Sequence, residues 1–317
     1  MESPVHQQSF RLQVDGVALA GQWWLPGGGS AAIAATDTSI DFSAAGSAAT
    51  ATASTASTWP PGLLCAHGLG QTRSAWRQTA QRLAGHGFPV LAADARGHGD
   101  SARNRDGQAY DPGQLADDLA AWAGTFKRPP VLVGASMGGL AGLIAQSRHA
   151  CFCALVLVDI TPRWEPEGVA RILAFMRAHS DGFDSIGQAA EVIAAYMPHR
   201  PRKSAQALAG LLARDGDGRW RWHWDPRLID DMNRDIEQRQ AQLFQAARAI
   251  RVPTLLVTGG ASDVVSPATI NEFLQLVPHA RHREIAHARH LIAGDDNDAF
   301  ASAVLEFIHS PGLRTAA

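Results

Sequence analysis

The residues Gly134-Ala135-Ser136-Met137-Gly138 place a serine between two glycines in the order G-x-S-x-G. An apolar run, 131–133, leads into them, and a small, apolar stretch, 139–145, follows. Strand, sharp turn and helix are the context in which this pattern holds a serine hydroxyl out at the end of a sheet as a nucleophile. The small residues have a physical reason. The turn is strained at the serine, and bulkier side chains beside it would strike the neighbouring strand and helix. The competing reading is a glycine-rich turn whose serine only caps the helix.

A serine nucleophile needs a base to take its proton, and the base needs a group that holds its tautomer and balances its charge. In sheets of this kind, ligands gather at the carboxyl ends of the strands, so candidates should follow apolar runs. Asp263 follows the run 254–258 after Gly259-Gly260, and His290 follows the short run 283–285. The chain order Ser, Asp, His is the one this turn type carries. The expected set is therefore Ser136, Asp263 and His290. Asp159, directly after the run 154–158, competes as the acid, and His287 competes as the base. His290 is preferred because the loop 286–289 gives it reach and apolar Leu291-Ile292 follows it.

A developing oxyanion needs donors already in place. Met137 N–H, directly after the nucleophile, is one. Leu69 N–H is the other, from the loop His67-Gly68-Leu69-Gly70 that follows the run 62–66. Gly68 is read as the turn that points Leu69 N–H inward, and His67 as a brace for the loop. A metal held by His279, His282, His287 and His290 finds no ordered cysteine or carboxylate spacing to support it. No metal and no cofactor are expected.

The elements that must position these groups alternate. Segments 10–14 and 17–25 read as an antiparallel pair turning at Asp15-Gly16. Buried strands are expected at 62–66, 89–93, 131–133, 154–158 and 254–258, with helices at 75–85, 112–123 and about 297–309. Such alternation means a mostly parallel sheet with helices on both faces. The stretch 160–251 breaks the rhythm with helical patterns at 168–179, 185–197 and 235–249 and no core strand. It is expected to cap the site. The domain plan is core 1–160, cap 161–250 and core 251–317. Trp220, Trp222 and Trp224 share one face if their run is extended. They are expected to line the substrate cavity, the other reading being that they pin cap to core. Segment 27–58 is nearly all Gly, Ala, Ser and Thr, too poor in apolar surface to offset chain entropy, and is expected to be a surface loop.

The chain has 317 residues and a formal net charge of -2, which gives no broad basic surface for nucleic acid. Its first residues lack the basic start and apolar run of a signal peptide. No apolar stretch nears the ~20 residues that span a bilayer. Cys65, Cys151 and Cys153 read as small hydrophobes of a reducing cytosol. The expected partner is a small molecule with an apolar group, with neither nucleic acid nor membrane, in the cytoplasm.

The loop 67–70, the segment Asp94-Ala95-Arg96-Gly97-His98-Gly99-Asp100-Ser101, the serine turn, the run 255–259 leading to Asp263, and His290 together resemble the α/β-hydrolases, in their lidded esterase and lipase-like branch. The resemblance implies an α/β-hydrolase fold with a helical cap after the sixth core strand, and a mainly structural role for 94–101. Similar haloalkane dehalogenases and epoxide hydrolases carry aspartate where Ser136 stands, so serine argues against both. The tail 291–297 resembles members labelled peroxidase or hydrolase. Segment 27–58 departs from the family, which has a short connection there. The expected activity is cofactor-independent cleavage of a carboxylic ester, thioester or lactone. Alternatives are carbon–carbon bond hydrolysis of a diketo acid, with Arg163, Arg200 or Arg202 meeting its carboxylate, and acyl transfer to peroxide. A non-catalytic ligand receptor is the alternative from a different class.

Overall fold

Alternate residues of each central strand turn to opposite sides of one sheet, and the two sets build two cores. In the computed structural model, which describes residues 4–27, 39–40, 60–200, 204, 208, 211–232, 234–295 and 297–314, the strands are β1 (Val5–Val14), β2 (Val17–Pro26), β3 (Ser39–Ile40), β4 (Leu63–Ala66), β5 (Val90–Ala93), β6 (Val131–Ala135), β7 (Ala154–Val158), β10 (Thr254–Gly259) and β11 (Arg281–Ile285). They form one sheet in the order β11-β10-β7-β6-β4-β5-β2-β1-β3. From β11 to β5 every pairing is parallel, and β2 joins β5 antiparallel. Leu64, Leu132, Leu157 and Leu256 face one core, while Cys65, Val133, Val156 and Val257 face the other. Strands buried on both faces need no polar side, hence their unbroken apolar runs.

Helices cover both sides. Helices α2 (Pro112–Ala123) and α3 (Met137–His149) bury Trp122 and Leu143 against the first face. Helix α1 (Arg77–Gly85) and α8 (Asn297–Ile308) bury Leu83 and Phe300 against the second. Asp111 starts α2 by accepting from Gly113 N–H at 2.7 Å, with Pro112 in the first turn where it costs no hydrogen bond.

Between β7 and β10 lie α4 (Pro166–Arg177), α5 (Ile186–Tyr196), the hairpin β8 (Leu212–Arg214) and β9 (Trp220–Trp222), α6 (Arg227–Asp231) and α7 (Ile236–Ala249). The hairpin is a separate two-stranded sheet, an element the sequence pattern did not announce. Helix α7 buries Leu243 in the first core and packs on α3. The elements with a core of their own are therefore α4 to α6, gathered around Phe183, Trp222 and Trp224. Ser39–Ile40 add a short parallel strand beside β1. Otherwise the expected loop at 27–58 lies almost wholly outside the described residues.

The parallel strands end at one edge. Ala66 pairs with Gly134, Ala135 with Val158, and Gly259 with Ile285, so the loops after β4, β6, β7, β10 and β11 converge there. The loop after β5 is clamped from below. Arg96 is buried and donates through Nε and Nη2 to the Asp118 carboxylate on α2 at 2.8 and 2.5 Å, and through Nη1 to Asn104 at 3.1 Å. Removing one partner of such a pair strands a buried charge. Asp118→Ala should therefore lower the unfolding free energy by about 3–5 kcal/mol, read as a shift in the urea midpoint.

Candidate active site

Ser136 occupies the turn between β6 and α3 with φ 48° and ψ −117°, a backbone region that non-glycine residues rarely adopt. Such a residue costs on the order of 1–3 kcal/mol, which its surroundings must hold. Here Ser136 N–H donates to Val158 O at 3.1 Å and its carbonyl accepts from Leu140 N–H at 3.0 Å. The two glycines of the motif are needed for backbone approach. A Cβ at Gly134 would stand 2.8 Å from Gly138 O and Gly139 N, and one at Gly138 would stand 2.5 Å from Ala66 O.

His290 is brought to the same edge by the loop after β11. That loop is zipped onto the Gly259-Gly260 turn, where Gly260 N–H donates to Ile285 O at 2.9 Å and Ala261 N–H to Ala288 O at 3.0 Å. A Cβ at either glycine would come within 2.4 Å of a carbonyl oxygen of this loop. His287 is exposed. His279 reaches Val252 O and His282 reaches Thr258 Oγ1, so these histidines diverge from His290.

The acid beside His290 is Asp159, not Asp263. His290 Nδ1 lies 2.8 Å from Asp159 Oδ2. A carboxylate accepts, so Nδ1 carries the hydrogen and Nε2 is left with its lone pair. Asp159 has no solvent exposure. Its Oδ1 also accepts from Gly259 N–H at 2.9 Å and its Oδ2 from Ser262 Oγ at 2.5 Å. Asp263, the expected acid, follows a strand and fits the chain order Ser, Asp, His, but so does Asp159. The turn 259–262 carries it past the edge, its backbone packs against Gly168 of α4, and its half-exposed carboxylate pairs with Arg171. Asp159 owes its place to the path of the chain. It follows β7 with no spacer, so its side chain cannot leave the strand end, and β7 is the strand whose last carbonyl holds Ser136.

The loop after β4 carries Leu69. Its flanking amides are occupied, Gly68 N–H by Gln71 Oε1 at 3.0 Å and Gly70 N–H by His98 Nε2 at 3.1 Å. Gly70, with φ 75°, makes the left-handed turn, whereas Gly68 is needed for space, its Cβ position lying 3.2 Å from Ser136 Cβ. Leu69 and Met137 both line the cleft that holds Ser136 and His290. Met137 opens α3, and the first N–H groups of a helix lack intrahelical acceptors. Gln71 is a brace that sequence reading missed. His67 accepts from Ala95 N–H on Nε2 at 2.9 Å, so its Nδ1–H donates to Gly68 O at 2.8 Å. With both nitrogens engaged, His67 ties two loops and has none free to act as a base.

The cleft encloses about 940 Å³, its open mouth included. Met137, Leu140, Ala141 and Ile144 of α3 form one wall, at the spacing of a single helix face, and Trp164 and Ile172 face it from the cap side. The tryptophans expected to line it do not. Trp222 and Trp224 are buried and stack on each other with centroids 4.6 Å apart, Trp222 packs edge-on to Phe183, and Trp220 pairs with Phe183 through the backbone. Trp224 lies over Gly70, whose Cβ position is 3.5 Å away. These rings hold the cap together and seat it on the loop after β4. Of the arginines suggested for a substrate carboxylate, Arg163 pairs with Glu272 and Arg200 donates to Leu291 O at 2.9 Å, while Arg202 lies outside the described residues.

Three buried histidines join that seam. The rings of His67 and His98 are 5.0 Å apart, and those of His98 and His223 are 6.0 Å apart. Each uses one nitrogen to accept a backbone N–H, His223 from Gly99 at 2.9 Å, so each must be neutral. Burial lowers all three pKa values, and His223 is pushed down to about 3. The unfolded chain takes up these protons first, so stability is present above the ordinary histidine pKa near 6.5 and is lost as pH falls toward 3. The melting temperature should fall steadily below about pH 6.5, by up to ~1.4 kcal/mol of stability per pH unit for each histidine. In His223→Asn, whose amide oxygen can still accept from Gly99, the acid loss measured by calorimetry should be smaller.

The model of the alpha/beta hydrolase family matches residues 63–303. A 3-hydroxybutyrate-oligomer hydrolase of Cupriavidus necator is 27% identical over 246 residues, 73% of this chain and 83% of that protein. An esterase of Mycobacterium tuberculosis is 31% identical over 232 residues, 70% and 73% of the two chains. The crystal structure of an E-2-(acetamidomethylene)succinate hydrolase covers 96% of this chain and 100% of its own at 22% identity, with a TM-score of 0.75. No helix among the described residues is long and apolar enough to cross a membrane. With the parallel sheet, the serine turn and a match over most of its length, this chain belongs to the alpha/beta hydrolase family and is a hydrolase.

Proposed function

We propose that this hydrolase cleaves a carboxylic ester, thioester or lactone through an acyl-enzyme on Ser136. The observation that carries the reading is the fixed tautomer of His290. Asp159, fully buried, holds Nδ1–H, so Nε2 is the basic nitrogen in a cleft that Ser136 also lines. His290 takes the Ser136 proton as Oγ bonds to the substrate carbonyl carbon. The carbonyl oxygen gains charge, and Leu69 and Met137 N–H donate to it. The bond to the leaving group then breaks, and that group departs with the proton from His290. Water, deprotonated by His290, attacks the acyl carbon, the acid leaves, and the proton returns to Ser136. Asp159 stabilises the charged imidazole throughout. The Ser136 proton leaves with the leaving group and a proton from water replaces it, so Ser136 and His290 end as they began and these residues alone complete the cycle.

The relatives lean the same way, one acting on oligomers of 3-hydroxybutyrate and one being an esterase. The apolar wall of α3 favours a substrate with an apolar part against it.

Ser136→Ala should lower p-nitrophenyl butyrate hydrolysis by about a thousandfold or more. A fluorophosphonate should label the native chain once, at Ser136. Labelling elsewhere, or an alanine variant that keeps most of its rate, overturns the nucleophile. Asp159→Asn should cost about 10³–10⁴ in kcat, because the amide can donate to His290 and favour the wrong tautomer. Asp263→Asn should stay within about threefold, since the Arg171 pair it breaks is exposed. The reverse ordering would return the acid to Asp263.

A further inference from the structure

Arg239 is the group in the cleft that hydrolysis of a neutral ester leaves unused. It stands on α7 one turn before Leu243, and both side chains line the cleft, as a spacing of four on a helix allows. Among the described residues lining it, the titratable side chains are His290 and Arg239. A guanidinium carries five N–H donors. Here Nη1 donates to Asp231 O at 2.7 Å, the one side-chain hydrogen bond of Arg239 among the described residues. The Asp231 carboxylate is committed elsewhere, accepting from Tyr110 N–H at 2.9 Å and meeting Arg234 at 3.1 Å. Arg239 is thus anchored by one donor, with the rest of its fork unmatched among the described residues, on an otherwise apolar wall. That arrangement suits a carboxylate, which takes two parallel N–H bonds from one guanidinium and binds more strongly where water is partly excluded.

The position says where the carboxylate sits. Asp231 ends α6, and its tie to Tyr110 brings that end to the start of α2, where Pro112 lines the cleft together with Met232. Arg239 is fixed to this corner. The α3 wall runs from Met137, beside the nucleophile, to Ile144, about 10 Å of helix. His290 gives its proton to the leaving group, which departs on the His290 side. The acyl part remains on Ser136 and lies along the walls of α3 and α7.

We infer that the cleft takes an acyl chain that is apolar along its length and ends in a carboxylate held by Arg239. The substrate class is a monoester or monothioester of a dicarboxylic acid. This rests on the reading of Ser136 as nucleophile, and the experiment separates the two.

Two measurements test it. The first compares kcat/KM for monomethyl adipate and monomethyl suberate with methyl hexanoate and methyl octanoate, followed by proton release. In the native enzyme the ratio of half-ester to neutral ester should exceed one. In Arg239→Leu that ratio should fall by about 10- to 100-fold, with most of the change in KM, and Arg239→Lys should recover part of it. A ratio that moves by less than about threefold overturns the inference. The second uses no turnover. Calorimetry on Ser136→Ala should detect adipate more tightly than hexanoate, and the preference should vanish when Arg239→Leu is added. Equal binding of the two acids to Ser136→Ala also overturns the inference. If Ser136→Ala retains ester hydrolysis while adipate still depends on Arg239, the nucleophile assignment falls and the carboxylate site stands.

Discussion

One carboxylate holds this site together. Asp159 sits at the end of β7 with a positive φ of 50° and no contact with solvent, so its side chain turns back over the sheet edge. Three donors from elsewhere converge on it: Gly259 N–H from β10, Ser262 Oγ from the following turn, and the His290 ring from the loop after β11. A carboxylate out of water is costly unless its oxygens are met by donors. Meeting them fixes the spacing of three loops that are far apart in sequence. The same strand end also accepts Ser136 N–H at Val158 O. Val158 and Asp159, adjacent in the chain, therefore hold the serine turn and the His290 ring to one strand end.

Close backbone contact does the remaining positioning. Gly134 and Gly138 let α3 start against the ends of β6 and β4, and Gly259 and Gly260 let the His290 loop lie on the end of β10. Gly68 lets the loop after β4 lie against Ser136. In each case a methyl group would meet main chain or the nucleophile itself. The apolar sheet below is the rigid base from which these contacts are set, with its strands buried on both faces. Strain at Ser136 survives because the strand and helix on either side are each locked into that base.

The cap is attached by different means. His223 accepts Gly99 N–H across the seam, Tyr110 donates to Asp225 at 2.8 Å, and Trp224, stacked on Trp222, lies over Gly70. The aromatic cluster that gives the cap its own core thus also restrains the loop bearing Leu69. The cleft is built instead by α3, α4 and α7, whose apolar faces meet beside Ser136. Division of labour follows from this. The sheet edge holds Ser136, Asp159 and His290, and the helices around it line the cleft they open onto.

Sequence alone determined the elements whose signal is local. The serine turn, its glycines, the parallel core and the loop after β4 were legible because periodicity and steric need act within a few residues. His290 was legible too, since only it follows a loop long enough to return to the edge. The acid was not. Asp159 and Asp263 both follow apolar strands and both lie between Ser136 and His290, so neither chain order nor strand pattern could separate them. What separated them was the path of the turn at 259–262 and the pull of Arg171 on α4, both of which depend on how α4 packs. The tryptophans failed for the same reason. Their period of two was real over β9, yet a period says which residues share a face and not what that face meets. Arg239 gave no signal at all, because an arginine on an amphipathic helix looks the same whether it faces water or a cleft. Its surroundings come from α2, α6 and α7, brought to one corner only when the chain is folded.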